Sequence, residues 1–283
     1  MKLSRNDVDI YVPDGTAMPD ALSRTTHLCI GAHQDDQEFM AFHGIVECFA
    51  QSDRWFTGVC VTNGGGSPRN GPYERFTDEE MIDVRRVEQR TAASVGGYAC
   101  EIQLAHPSSF IKDPAEACVV NDLLEILKAS RPDVVYLHNP ADKHDTHVAS
   151  TLRAVAALRM LPADQQPDQV IGCEIWRSLD WVCDDEKVVM DVDRHRNLAA
   201  ALSGVFDSQI TGGKRYDNAN LGRQAANATF FASHATDESA ALSWGIDLTP
   251  LVKDDSLSIT AYTRGLIDRF AKDVDDRIAN FNG

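Results

Sequence analysis

His33, Asp35 and Asp36 stand together in the stretch Gly31-Ala32-His33-Gln34-Asp35-Asp36-Gln37-Glu38, and far downstream His144-Asp145-Thr146-His147 forms a second cluster. Imidazole nitrogens and carboxylate oxygens are ligands for a divalent metal, and three protein ligands with an open position mark a catalytic site rather than a structural one. Two imidazoles and one carboxylate drawn from His33/Asp36 and His144/His147 would make such a set. The members of each pair are three residues apart, so at the head of a helix they project from one side of its first turn. One such pair arises by chance in many chains; two at strand-to-helix junctions carry more weight. The competing reading is that these polar residues only cap helices, with Asp35 or Asp36 at one N-cap and Asp145 or Thr146 at the other.

The elements that must position these residues follow from the apolar pattern. Strands are expected over residues 26–32, 55–61, 100–104 and 134–137, and helices over 38–51, 77–95, 116–129 and 148–160. Thr77-Asp78-Glu79-Glu80 is a capping box opening the second helix. Continuous apolar strands suit a sheet covered on both faces, and alternating strand and helix argues for right-handed βαβ units with parallel strands. In such sheets ligands bind outside the carboxyl ends of the strands, which brings both histidine clusters to one edge. Beyond Leu161-Pro162 the character changes: residues 175–182 and 188–192 read as strands joined by Asp184-Asp185-Glu186, and helical spacing returns over 194–205 and 257–280. The fold class expected is α/β, a Rossmann-like, mostly parallel sheet flanked by helices, with a smaller α+β C-terminal portion. No linker divides it, so residues 1–283 are read as a single domain. Residues 1–24 form an N-terminal extension with a short strand at Ile10-Tyr11-Val12, 25–160 the βα core with the metal motifs, and 161–283 a portion that shapes the substrate site.

Around the clusters lie further candidates. Thr62-Asn63-Gly64-Gly65-Gly66-Ser67 follows a strand, where three glycines can cradle a phosphate on backbone N–H groups, but it is neither a Walker motif nor G-x-G-x-x-G, so a turn bordering the site is the first reading. Residues 67–76 are too rich in proline and glycine for regular structure, and a loop of that kind often covers substrate; Arg69, Tyr73 and Arg75 are its candidate contacts. Glu88 falls on the apolar face of its helix, where a carboxylate needs a partner, and Arg85 at i−3 supplies one. A structural ion pair is the first reading of that couple, and support of the metal site the second. His138, at a strand end, is within reach of the site edge, whereas His43 and His106 carry less weight and His27, His195 and His234 read as surface or structural.

Composition limits the partners. Lys plus Arg at 27 against Asp plus Glu at 43 gives a net charge of −16, a surface that repels phosphate backbones. Arg85-Arg86 and Lys214-Arg215 are isolated basic pairs, so no nucleic-acid partner is expected. Seven cysteines without a Cys-x-x-Cys pair read as small buried hydrophobes in a reducing compartment, not as a structural zinc site. The N-terminus lacks the apolar core of a signal peptide, and no apolar run approaches the ~20 residues of a membrane span. The expectation is a cytoplasmic protein with no membrane span, and self-association into a homo-oligomer is left open.

The stretch Ala32-His33-Gln34-Asp35-Asp36-Gln37-Glu38 resembles the Ala-His-Pro-Asp-Asp-Glu motif of the LmbE-like (PIG-L) de-N-acetylase family, and His144-x-x-His147 resembles its second histidine motif. Thr62-Asn63-Gly64, Arg85-x-x-Glu88 with Ala92, and Ser208-Gln209 fit the same pattern, which covers residues 26–160 well and the rest loosely. The family comprises zinc-dependent hydrolases that deacetylate N-acetylglucosamine-type sugars and conjugates. The resemblance implies that His33, Asp36 and His147 hold Zn2+ (or another divalent metal), that Asp35 is the general base, and that His144 stabilises the oxyanion or protonates the amine. Asn63 and Arg69 are the candidate substrate-binding residues. Gln34 and Gln37 depart from the first motif's proline and glutamate, which suggests a less rigid loop. Thr146 stands before the last histidine where aspartate is common, which leaves open what orients His144.

The chemistry fits these residue types independently. Amide hydrolysis needs a nucleophile at neutral pH, and zinc lowers the pKa of bound water to about 7. A carboxylate beside the metal takes the proton as water attacks, and the oxyanion and leaving amine need charge and a proton in turn. The function expected is removal of the N-acetyl group from an N-acetylglucosamine-type small-molecule conjugate by a zinc-activated water. The alternatives are a metal-dependent hydrolase of another amide or an ester, and a non-catalytic binding protein on the same scaffold.

Overall fold

Leu28 and Ile30 of strand β2 (His27–Gly31) belong to one apolar core, and Cys29 between them belongs to another. That period of two is what a strand covered on both faces requires. The computed structural model describes residues 1–282 and extends the pattern across an eight-stranded sheet. The other strands are β1 (Asp9–Tyr11), β3 (Phe56–Thr62), β4 (Cys100–His106), β5 (Val134–His138), β6 (Gln169–Cys173), β7 (Lys187–Asp191) and β8 (Leu242–Asp247). Their order is β1-β4-β3-β2-β5-β6-β8-β7; the five from β4 to β6 run parallel, and β1, β8 and β7 join antiparallel. The result is a mixed α/β fold with a mostly parallel sheet.

The helices are α1 (Asp20–Ser23), α2 (Asp36–Met40), α3 (Phe42–Cys48), α4 (Asp78–Gly96), α5 (Ser108–Lys112), α6 (Cys118–Ser130), α7 (Asp145–Arg159), α8 (Arg196–Gly204), α9 (Asp207–Ile210), α10 (Tyr216–Phe230), α11 (Thr249–Lys253) and α12 (Ile259–Phe281). Leu123 and Leu127 of α6 and Leu158 of α7 share the core of Leu28, while Ile45 of α3, Ala92 of α4 and Leu202 of α8 share that of Cys29. The expected capping box opens α4: Thr77 Oγ1 accepts the Glu80 N–H at 3.2 Å, and Glu80 accepts the Thr77 N–H at 2.8 Å. Among the described residues no helix is long and apolar enough to cross a membrane.

Three expectations change. The helix over 38–51 is two helices, α2 and α3, broken at Ala41 (φ −113°, ψ 22°). Beyond the break Gly44 presses on β5, where a Cβ would come within 2.5 Å of the Tyr136 ring. The strand expected at 175–182 is β6 at Gln169–Cys173 instead. Just beyond its end, buried Glu174 still donates its N–H to the Trp244 carbonyl at 3.1 Å, and its carboxylate accepts the Trp244 N–H at 3.0 Å and the Asn227 side-chain amide. Third, the C-terminal strands do not stand apart: β6, β8 and β7 continue the sheet that the first half begins.

Candidate metal centre and active site

The chain builds β2, β3 and β4 outward in one direction, then returns to place β5 on the other side of β2. A crevice opens at such a reversal, outside the carboxyl ends of the strands. His33, Asp35 and Asp36 follow the end of β2 there, and Asp142, His144 and His147 follow the end of β5.

His33 Nδ1, Asp36 and His147 Nε2 form a triangle. His33 Nδ1 lies 3.3 Å from Asp36 Oδ2 and 3.2 Å from His147 Nε2, and His147 Nε2 lies 3.4 Å from Asp36 Oδ1. Tetrahedral ligands about 2.0–2.1 Å from a zinc ion are separated by about 3.3 Å, so the donor set fits such an ion. Burial alone would raise Asp36, but His147 and His138 beside it hold it well below the usual carboxylate range. Burial pushes the His147 imidazole down to about 4. An ionised carboxylate and a neutral imidazole are the states that metal ligation requires.

Two residues back this triangle. Asp142 Oδ1 accepts the His144 backbone N–H at 2.9 Å and faces His147 Nδ1 at 3.7 Å, an ion-pair separation rather than a hydrogen bond. A carboxylate behind a ligating histidine fixes its ring and tautomer. His138, fully buried, stacks on His147 with centroids 3.9 Å apart, while its Nε2 accepts the Ala32 N–H at 2.9 Å. It reaches the site as its strand-end position suggested.

Asp35 occupies the N-cap position of α2 but does not cap: its side chain makes no capping bond. Its backbone is left-handed (φ 84°, ψ −29°), a conformation costing a non-glycine residue about 1–3 kcal/mol and typical of functional sites. The Gln89 side chain accepts its N–H at 3.1 Å. Its carboxylate meets the guanidinium of buried Arg85, Nη2 to Oδ2 3.2 Å. Burial raises Asp35, Arg85 opposes that, and Asp36 raises it again, leaving it at about 7. Arg85 also pairs with Glu88 at 3.3 Å, and Ser208 donates both its N–H and its hydroxyl to Glu88 at 2.7 Å. The expected Arg85–Glu88 ion pair exists, and it also supports the site.

His144 stands at the N-cap of α7, also without a capping bond, and stacks on His147 with centroids 4.5 Å apart. Burial and neighbouring His33 lower its pKa. Asp142 holds its backbone, and its ring Nδ1 has no hydrogen-bond partner among the described residues. Gln34, expected to loosen the loop, holds it: the side-chain amide donates to Thr62 O at 3.3 Å and to Gln103 at 3.1 Å, and the backbone carbonyl accepts from Arg85. Gln37 donates to Glu101 at 3.0 Å, deep under the site.

A cavity of about 690 Å³ opens over these groups. Asn63 is in its wall, with its side-chain oxygen accepting the Gly65 N–H at 3.1 Å. The oxygen is thereby occupied inside the glycine turn, while the side-chain NH2 makes no hydrogen bond among the described residues. Arg69 is not in the wall: its guanidinium donates to the Gly65 carbonyl and pairs with Asp78. The Tyr73 hydroxyl donates to Asp207 at 2.6 Å, tying the 67–76 loop to α9. Phe39, Trp176 and Tyr216 supply an aromatic wall, with Trp176 and Tyr216 edge to face at 5.8 Å. Sequence reasoning singled out none of these three, nor Asp142.

Residues 28–158 match the family model for PIG-L, GlcNAc-PI de-N-acetylase. No curated protein shows significant sequence similarity to the chain. Several solved structures share the fold. N,N'-diacetylchitobiose deacetylase from Pyrococcus horikoshii superposes with a TM-score of 0.63 at 16% identity, covering 81% of this chain and 86% of its own. A teicoplanin-pathway deacetylase gives 0.55 at 16% identity, over 78% and 98%. The 4-carboxy-2-hydroxymuconate hydratase from Pseudomonas putida gives 0.58 at 16% identity, over 79% and 96%. At such identities they establish a shared fold, and the hydratase shows that this fold also carries other chemistry. Residues 28–158, which contain both histidine clusters, form a domain of the PIG-L (LmbE-like) GlcNAc-PI de-N-acetylase family.

Proposed function

We propose that the protein is a metal-dependent hydrolase that removes the N-acetyl group from an N-acetylglucosamine-type sugar or conjugate. The observation that carries this reading is the triangle of His33, Asp36 and His147 donors at 3.2–3.4 Å, with Asp35 beside it on the cavity floor. The family domain supports the deacetylase assignment. His33, Asp36 and His147 are the proposed ligands of Zn2+ or another divalent cation, which when bound supplies a Lewis acid and a nucleophile at neutral pH.

Asp35 is the proposed general base. Arg85 fixes one of its oxygens at 3.2 Å, and a pKa of about 7 suits a group that takes a proton and hands it to the leaving amine. His144 is the proposed oxyanion stabiliser: burial favours its neutral ring, which still has one N–H to donate. Asn63 contributes substrate contact from the wall, and the Arg69–Asp78 pair shapes the loop beside it. One sheet drawn from both halves supports reading 1–283 as a single, Rossmann-like catalytic domain, with 1–24 an extension and 161–283 shaping the cavity. The seven unpaired cysteines support a reducing, cytoplasmic setting.

The test joins metal analysis of the purified protein to amine release from N-acetylglucosamine conjugates. Stoichiometric divalent metal and amine release are expected, both lost in Asp36→Ala. Absence of metal with Asp36→Ala unchanged overturns the enzyme reading. Activity on esters alone, or hydration of a double bond without amine release, overturns the deacetylase assignment.

A further inference from the structure

We infer that the molecule bound in this cavity carries an anionic group, phosphate or carboxylate, received by Lys112, Lys143, Lys214 and Arg223. The inference takes the position of the reacting centre from the hydrolase reading and adds the chemistry of the remainder of the substrate.

The chain carries a net charge of −16, yet its cavity reverses that sign. The cationic residues in the wall are Arg85, Lys112, Lys143, Lys214 and Arg223, and the carboxylates are Asp35 and Asp36 alone. Arg85 is paired with Asp35, and Asp36 lies among histidines. Four cations therefore have no carboxylate opposite them in the wall. They come from separate parts of the chain: Lys112 ends α5, Lys143 precedes α7, Lys214 lies between α9 and α10, and Arg223 is within α10. Folding brings them to one opening, a convergence that the sequence pattern alone did not reveal.

The three lysines are exposed, and among the described residues none has a carboxylate within 4.0 Å. Outside the cavity Lys128, Lys187 and Lys272 pair with Glu125, Asp184 and Asp276, whereas Lys253 donates only to the Gln166 carbonyl. The Lys214 ammonium sits 5.3 Å from the Trp176 ring centroid, within cation–π range, which holds it at the aromatic wall. Arg223 gives one donor to the Ile175 carbonyl and lies near buried Glu174, so it contributes less free charge than the lysines. A concave mouth lined with one sign of charge focuses its field and raises the local concentration of the opposite ion. On a protein this acidic, four cations gathered at one opening without a carboxylate opposite them in the wall favour an anion against the repulsion of the remaining surface. The volume of about 690 Å³ is that of a drug-sized ligand site, with room for a group beyond one sugar ring.

The test uses the whole 283-residue chain, metal-loaded, and matched pairs of probes: 4-carboxyphenyl against phenyl N-acetyl-β-glucosaminide, and N-acetylglucosamine 1-phosphate against the methyl glycoside. Both kcat/KM for amine release and Kd by calorimetry are read. The anionic member of at least one pair is expected to be preferred by about tenfold, a preference eroded by salt. The pair showing it distinguishes carboxylate from phosphate. Lys143→Gln and Lys214→Gln should each reduce the ratio about threefold to fivefold, while Lys128→Gln, outside the cavity, leaves it unchanged. Equal kcat/KM and equal Kd within both pairs overturn the inference and leave the hydrolase reading intact. So does a preference that survives the Lys143→Gln/Lys214→Gln double variant. Lysine-dependent binding of an anionic probe without turnover of any probe supports the inference and counts against the hydrolase reading.

Discussion

Replacing Arg85 with glutamine removes the guanidinium that lies 3.2 Å from Asp35 and 3.3 Å from Glu88, with only 1% of its side chain exposed. At an effective dielectric of about 20, unit charges 3.2 Å apart interact by about 5 kcal/mol, an upper bound for the pair. Carboxylates beside an arginine are generally lowered by about 1–3 pKa units, so Asp35 should rise by that amount without it. The sign follows: a base must be ionised to act, so its titration sets the acid limb of kcat/KM, and the limb should move to higher pH by about 1–3 units. A bound cation lowers the native and variant limbs alike, so their difference is the quantity to measure. At a pH below both limbs the variant should retain about 10⁻¹ to 10⁻³ of native kcat/KM. Two buried carboxylates lose their partner, costing about 3–5 kcal/mol of a stability that for most domains is about 5–15 kcal/mol. Arg85→Lys, which keeps the charge without the fork, is the folded control. Profiles of kcat/KM against pH, with thermal melts and metal content for each variant, decide the matter. An unmoved acid limb in folded, metal-loaded Arg85→Gln would refute Asp35 as the base that Arg85 tunes.

Other perturbations separate the remaining roles. Asp35→Asn should slow turnover by roughly 10²–10⁴ with metal stoichiometry unchanged; loss of metal in that variant would make Asp35 a ligand. Asp142→Asn weakens the group facing His147 Nδ1 at 3.7 Å, and metal affinity by chelator competition should fall about 10–100-fold. Unchanged affinity would remove Asp142 from the support of the site. Glu38 is pushed by burial to about 7 from an ordinary 4.5. A carboxyl raised on folding contributes stability that is complete below its unfolded pKa and lost as pH rises through the folded value. Glu38→Gln escapes that loss, so in chelator its stability relative to the native chain should climb by about 3 kcal/mol from mildly acidic conditions to pH 8. Urea titrations showing a difference independent of pH would contradict this.

What could be read beforehand was what local chemistry encodes. The capping box at Thr77, the apolar strands and the three-residue spacing of each histidine pair are contained in short windows, and the geometry follows them. Asp142, Trp176 and Tyr216 carry no local signature, because they reach the cavity only through the order in which strands and loops are stacked. The stretch 175–182 has the apolar spacing of a strand in Ile175, Leu179, Trp181 and Val182. The chain instead leaves the sheet after Glu174, whose carboxylate is held by donors on β8 and α10, and Trp176 enters the cavity wall. Gln34 departs from its local expectation for the same reason. A local rule weighs glutamine against proline, whereas its bonds to Thr62 and Gln103 come from β3 and β4.

The family domain ends at residue 158, but the site does not. Ser208, on α9, donates through nitrogen and hydroxyl to Glu88; Glu88 pairs with Arg85, and Arg85 with Asp35. Burial pushes Glu88 up, and Arg85 and Ser208 work against that rise. Without Ser208 the carboxylate would lose two of its donors in a site where only 9% of its side chain meets solvent, and a buried acceptor left unmatched costs about 1–3 kcal/mol. Glu88 would then hold its proton more readily and pull less on Arg85, leaving more of the guanidinium's charge to Asp35. The C-terminal half thus acts on the proposed base at a distance of two ion pairs, in addition to supplying Trp176, Lys214, Tyr216 and Arg223 to the cavity. Under the proposed mechanism, changes on α9 would therefore alter proton transfer as well as substrate fit, so the C-terminal half would belong to the proposed catalytic apparatus rather than only cover it.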